Sequence, residues 1–92
     1  MTASAQRELF EKGVPGTALV VEAPARTFVH PTKDSVGKFT VTVELSGRAP
    51  YRAELWHSFD AQDWELLQPG TRVQCRVDPD RPHRVLLIPR RT

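Results

Sequence analysis

The sequence predicts an all-β fold, a small five-stranded OB-like barrel with a short helix between its third and fourth strands. Residues 38–58 alternate apolar and polar side chains, which is typical of antiparallel strands. Residues 59–67 change to a helical spacing, and two more alternating segments follow around a turn rich in proline and aspartate. Together these observations predict a barrel interrupted once by a helix.

The N-terminal segment predicts a short helix. Residues 3–12 have helical composition, with Ser4 as the expected N-cap and Gly13 as the expected stop. Leu9 and Phe10 give this helix only a thin apolar side. We therefore expect it either to lie on the barrel or to fray.

The first strand is predicted to be long and bent. It begins at Thr17, and Pro24 interrupts it because proline cannot donate to a strand ladder. Extended character resumes over residues 26–29, and residues 30–35 form a polar loop. A bent first strand is what a small barrel needs to turn a corner.

The central stretch predicts a β-hairpin with one apolar and one polar face. Strand residues alternate between the two faces, so the apolar sets of both arms must lie on the same side. A turn at residues 47–49 then places Glu44 beside Arg52 on the outer face. The predicted cross-strand pairs are Leu45 with Tyr51, Val43 with Ala53, Val41 with Leu55, and Phe39 with His57.

The C-terminal part predicts a helix and two strands. Asp60 is a good N-cap, and Trp64 and Leu67 share one side of the helix. Cys75 lies at an inward strand position and has no second cysteine to pair with, so a buried, inert thiol is expected. The predicted elements are a helix within residues 59–67, strands at 71–77 and 83–88, and a turn at 78–82.

The order of elements favours an OB-like barrel over its alternative. Three strands, a helix and two strands follow one another, which is the OB connectivity. An SH3-like barrel is the alternative, because it has a similar number of strands and a short helical turn late in the chain. With 92 residues there is room for one domain. The predicted organisation is an N-terminal segment at residues 1–13, the barrel at 14–89 and a basic tail at 90–92.

The composition is that of an ordinary globular protein with a small positive charge. Thirteen basic and eleven acidic residues give a net charge of +2 with intermixed signs, which is not typical of a dedicated nucleic-acid binder. No apolar run approaches the ~18–20 residues of a membrane span, and no secretion signal opens the chain. These features and the lone cysteine predict a cytoplasmic protein without membrane insertion.

Turn and core residues of the second half carry a resemblance to a known family. They are Gly47, Pro50 and Tyr51, followed by the run Leu67-x-Pro69-Gly70-x-x-Val73-x-Cys75-x-Val77-Asp78-Pro79-Asp80-x-Pro82-x-x-Val85. Over residues 14–88 the chain resembles small actinobacterial β-barrel domains of unknown function. The resemblance implies a bacterial origin and a fold, and it brings no catalytic residues with it.

The outer face of the hairpin is the predicted binding surface. Trp56 points outward there, in the company of Arg52, Lys38 and Thr40. Tryptophan and arginine are favoured anchors in protein interfaces, and a small barrel with an outward aromatic residue is suited to two-fold self-association. The sequence therefore predicts a non-catalytic binding or assembly module whose partner is another protein or a second copy.

A single-stranded nucleic-acid binder is the alternative function. OB barrels bind oligonucleotides on their second and third strands and on neighbouring loops. Trp56 would stack on a base, and Lys33 and Arg81 would lie near the phosphates. Glu44 and Glu54 in the same patch weigh against this alternative.

The sequence predicts no enzyme, no metal site and no cofactor. The three histidines and the cysteine have no ligand spacing. His57 and Ser58 are adjacent in a strand and so point to opposite faces. Gly13 and Gly16 lead into a strand instead of a helix, so they do not form a phosphate loop.

Overall fold

Five antiparallel strands curl into a nearly closed barrel, with one helix before them and one between the third and fourth. The computed structural model describes residues 3–24 and 35–89, except for the side chains of Ser35 and Ala61. The predicted five-stranded all-β barrel, with a short helix between its third and fourth strands, is confirmed. Its elements are α1 (Ala3–Lys12), β1 (Val14–Glu22), β2 (Ser35–Glu44), β3 (Tyr51–Phe59), α2 (Ala61–Leu66), β4 (Arg72–Val77) and β5 (Val85–Ile88).

The sheet order is β3-β2-β1-β4-β5, with β1 in the middle. β1 pairs with β2 along one edge and with β4 along the other. The two ends of the order, β3 and β5, contact each other and so bring the sheet round into a barrel. The segment at residues 26–29, the loop that follows it and the basic tail lie outside the described residues.

β1 begins earlier than the sequence predicts. It starts at Val14, which pairs with Val77, instead of at Thr17. Pro15 and Gly16 do not break β1, because they pair with residues near the C-terminal end of β4. The register of β1 against β2 shifts between Val20 and Glu22, which is the kind of irregularity that bends a strand in a small barrel.

The core consists of the inward residues of every strand. The predicted inward phase holds on β2, where Phe39, Val41 and Val43 are fully buried. Leu67, just after α2, is also fully buried and closes one end of the barrel. The remaining core residues are Ala18, Val20, Ala53, Leu55, Phe59, Val73, Cys75, Val77, Val85 and Leu87.

The hairpin register differs from the predicted one by two residues. Val43 pairs with Tyr51, Val41 with Ala53 and Phe39 with Leu55. Leu45 does not pair with Tyr51 because its side chain lies over Gly16, where even a β-carbon would come within 2.4 Å of it. A shift of two keeps every residue on its predicted face.

Hydrogen bonds at the helix ends position both helices, and α1 is also held by one buried residue. Asp60 is the N-cap of α2 as predicted, and its carboxylate accepts the amide N–H of Asp63 at 2.7 Å. In α1, Leu9 is the buried residue and its carbonyl accepts the Gly13 N–H at 2.8 Å. Ser4 lies inside α1, so its predicted role as N-cap is wrong.

Candidate binding surface

The outer face of β2 and β3 presents an exposed tryptophan. Trp56 lies opposite Lys38 in the ladder, and 70% of its surface is exposed. The outward orientation predicted from the alternation is confirmed. Helix α1 contacts β4 and β5 and leaves this ring exposed.

A second apolar side chain on this face was not singled out in the sequence. Val36 is 66% exposed and lies opposite Ser58, so it is the diagonal neighbour of Trp56. The sequence holds a signal for it, because Val36 precedes Lys38 by two residues and therefore shares its face. The predicted hairpin starts at Lys38 and therefore leaves Val36 out, whereas β2 begins at Ser35.

The charges on this face are largely matched. The Lys38 ammonium lies 3.7 Å from the Glu54 carboxylate. Arg52 is exposed and lies opposite Thr42. The predicted neighbour of Arg52, Glu44, instead accepts a bond from Arg72 at 3.3 Å, because the two-residue shift in register moves Glu44 away from β3.

Thr40 does not belong to the exposed surface. Only 5% of its area is accessible, although it points to the outer side as predicted. It lies on the middle one of three paired strands, with Glu22 and Glu54 as its cross-strand neighbours. The short threonine side chain lies below these longer ones, so we correct its predicted role as a contact residue.

The remaining two predicted residues are not placed beside Trp56. Lys33 lies outside the described residues. Arg81 is in the turn between β4 and β5, where its amide N–H donates to the Asp78 carbonyl at 3.2 Å. Pro82, the residue after Arg81, accepts a hydrogen bond from Tyr51 at the start of β3. Trp56 lies five residues further along that strand, so about 17 Å separates Trp56 from the turn that holds Arg81.

Burial shifts the pKa values of a thiol and an imidazole in the barrel, those of Cys75 and His57. Burial raises the pKa of the Cys75 thiol to about 11, and the positive charge of Arg76 acts in the opposite direction. Burial lowers the pKa of His57, and the carboxylate of Asp63 opposes that shift. The ring of His57 meets Phe39 edge-on, with centroids 6.2 Å apart.

A crevice of about 190 Å³ lies between α1 and the β4–β5 turn. Its walls include Glu8, Lys12, Asp80 and Arg84, and Arg84 is already paired with Asp78 at 3.6 Å. Among residues 3–24 and 35–89, no group of three or more histidine, cysteine, aspartate or glutamate side chains is arranged to hold a metal ion.

Comparison with known proteins gives no match to a family model, to a curated protein or to a solved structure. The resemblance to small actinobacterial β-barrel domains therefore stays a prediction. Of the helices in the described part of the chain, none has the length and apolar character needed to cross a membrane.

Proposed function

We propose that this protein is a non-catalytic binding module that contacts another protein through the outer face of its β2–β3 hairpin. The observation that carries the proposal is the pair formed by Trp56 and Val36, both about two-thirds exposed or more on a paired, regular sheet. Covering a large, water-exposed aromatic side chain with a partner lowers the free energy of the complex. Arg52, on the same face, adds a second favoured anchor.

The chemistry of the described groups supports a binding role over a catalytic one. The only thiol is buried with a raised pKa, so its nucleophilic form is disfavoured. His57 turns inward against Phe39, away from the exposed hydroxyl of Ser58. The proposal places the module in the cytoplasm, where a lone unpaired cysteine is the common state.

The charge distribution favours a protein over a nucleic acid as the partner. Lys38 is matched by Glu54, and Arg81 lies near the far end of β3 from Trp56. A strand of nucleic acid needs a continuous basic groove and several stacking platforms.

The test compares Trp56→Ala with a matched control, Phe10→Ala, which removes another exposed aromatic ring on α1. Light scattering over a concentration series measures self-association, and quantitative affinity capture from the source cells measures other partners. We expect complexes that survive in the control and in high salt but are lost in Trp56→Ala. Equal binding by both variants would contradict the proposal. Binding to a mixed single-stranded oligonucleotide that weakens steeply with salt would support the alternative.

A further inference from the structure

The exposed face around Trp56 carries charges of both signs. Glu44 is held by Arg72 of β4 at 3.3 Å. The other charged residues that point outward on the described parts of β1, β2 and β3 are two basic and two acidic ones, Lys38, Arg52, Glu22 and Glu54. A partner of a single charge sign would be repelled by half of them. A surface that contacts a copy of itself across a two-fold axis must be self-complementary, and this mixture of signs meets the first condition.

Four neighbouring outward positions on the β2–β3 ladder define the geometry of this face. Lys38 is paired with Trp56, and Thr40 is paired with Glu54. Lys38 and Glu54 therefore occupy one diagonal of this group, and their charged atoms lie 3.7 Å apart. Trp56 and Thr40 occupy the other diagonal, where a ring that is 70% exposed lies next to a side chain that is 5% exposed. The tryptophan therefore projects from the sheet beside a low point of the surface.

We propose that the face around Trp56 binds a second copy of this chain, across a two-fold axis that lies in the interface along the diagonal from Trp56 to Thr40. Such an axis exchanges the two positions of the other diagonal. Lys38 of each copy then lies over Glu54 of the second copy, and the two Trp56 rings meet at the axis. The strands of the two copies cross steeply, as in orthogonal sheet packing. The inference deepens the function proposed above and rests on it.

The same axis brings the remaining groups of the face to suitable partners. Arg52 comes over the side of the second copy that carries Glu22, because Glu22 lies on β1, across β2 from the strand that holds Arg52. Each of the four charges then faces one of opposite sign. A two-fold axis leaves residues on it in place, so Trp56 keeps the same lateral distance to a residue and to its symmetry mate. Val36, the diagonal neighbour of Trp56, therefore comes within reach of the Trp56 ring of the second copy.

The first test measures the oligomeric state of the full chain by sedimentation velocity, from about 1 μM to about 1 mM. The outer face of a barrel is convex and limits the contact to the surroundings of Trp56. Small interfaces are transient, so we expect dimers that dissociate in the micromolar range. Trp56→Ala should remain monomeric throughout the series, whereas Phe10→Ala, which removes an exposed ring from α1, should dimerise like the wild type. A wild type that stays monomeric at the highest concentration overturns the inference.

The second test exchanges the charges that meet across the axis. Lys38→Glu and Glu54→Lys should each weaken dimerisation by roughly tenfold or more, because two pairs of like charges then face each other in every dimer. An equal mixture of the two variants should restore dimerisation, because each pair again joins opposite charges. Lys12→Glu and Glu11→Lys, at exposed positions of α1, make the same changes in net charge and should have no such effect, alone or mixed. Circular dichroism checks that every variant is folded.

The outcomes separate this inference from the proposed function. A monomeric wild type that captures another protein only when Trp56 is present would overturn the second copy and leave the face as a contact surface. A dimer that requires Trp56 but is not restored in the mixture of charge variants would overturn the two-fold arrangement. A dimer that persists unchanged in Trp56→Ala forms through another surface, which overturns the inference. If no other protein requires Trp56 either, the proposed function is overturned with it.

Discussion

At the scale of single residues, the lone thiol shows how the strand phase controls reactivity. Cys75 is fully buried in the barrel, and its pKa is raised to about 11 because burial disfavours the thiolate. Thiol reagents attack the thiolate, so labelling of the native protein should be far slower than labelling in denaturant. The rate is measured with a chromogenic disulfide reagent at neutral pH.

The matched control is Gln74→Cys, which places a thiol one residue away on the exposed side of the same strand. We expect that thiol to react rapidly while Cys75 in the same molecule does not. Rapid reaction of native Cys75 itself would show that β4 is out of phase with the buried positions described here.

His57 makes the stability of the fold depend on pH. Burial holds its pKa below the ordinary value of 6.5 in the folded state. The unfolded chain therefore binds more protons near and below that pH, and the free energy of unfolding falls as the pH drops through 6.5 towards the lower folded value. Urea unfolding between about pH 7.5 and about pH 5.5 measures this change.

His57→Gln should flatten this part of the pH profile, whereas His83→Gln, at an exposed position, should leave it in place. If both variants keep the slope of the wild type, His57 is not its source. If both remove it equally, the effect belongs to histidines in general and not to the buried site.

At the scale of elements, the hairpin separates what a pattern can predict from what it cannot. The alternation along Phe39 to Leu45 predicts the buried face, and that prediction is correct. It cannot choose between registers that differ by two residues, because both keep the same faces. The choice is made by distant contacts, since Leu45 covers Gly16 on β1 and Tyr51 bonds to Pro82 beyond β4.

Two aspartate substitutions test the phase of β2. Val43 is fully buried, and a carboxylate there has no partner, so Val43→Asp should cost several kcal/mol. That loss is comparable with the whole stability of a small domain, roughly 5–15 kcal/mol, and we expect the variant to be unfolded. Circular dichroism and thermal denaturation measure the outcome.

Thr42→Asp, one residue away, is the control. Thr42 is half-buried on the outer side with Arg52 opposite, so a carboxylate there remains hydrated and gains a nearby cation. Its effect should stay within about 1 kcal/mol. Similar losses in both variants would contradict the assignment of faces on this strand.

At the scale of the whole molecule, the order of elements was enough to predict the barrel. The helix between the third and fourth strands and the N-terminal helix are both present. The residues that make up the candidate surface are harder to predict from the sequence. Trp56 is exposed as predicted, but Arg81 lies near the other end of β3 and Thr40 is covered by longer neighbours. Distances between strands that are far apart in the sequence depend on how the barrel closes. The alternation of residues along a single strand carries no information about that closure.

A hydrogen bond that the sequence pattern does not reveal joins the two ends of the sheet order. The hydroxyl of Tyr51 joins the start of β3 to Pro82 just before β5, which are the two ends of the sheet order. Tyr51→Phe keeps the ring against His83 but leaves the Pro82 carbonyl without this donor. We expect it to lower the free energy of unfolding by about 0.5–1.5 kcal/mol and to speed amide exchange in β5 more than in β1.

Ser58→Ala, which removes an exposed hydroxyl from the same strand, is the matched control and should change neither quantity. A uniform rise in exchange throughout the barrel would mean that Tyr51 contributes to global stability alone. A specific rise in β5 would mean that the two ends of the sheet separate locally, without unfolding of the central β2-β1-β4 ladder. Unchanged stability and exchange in Tyr51→Phe would show that packing alone holds the barrel closed.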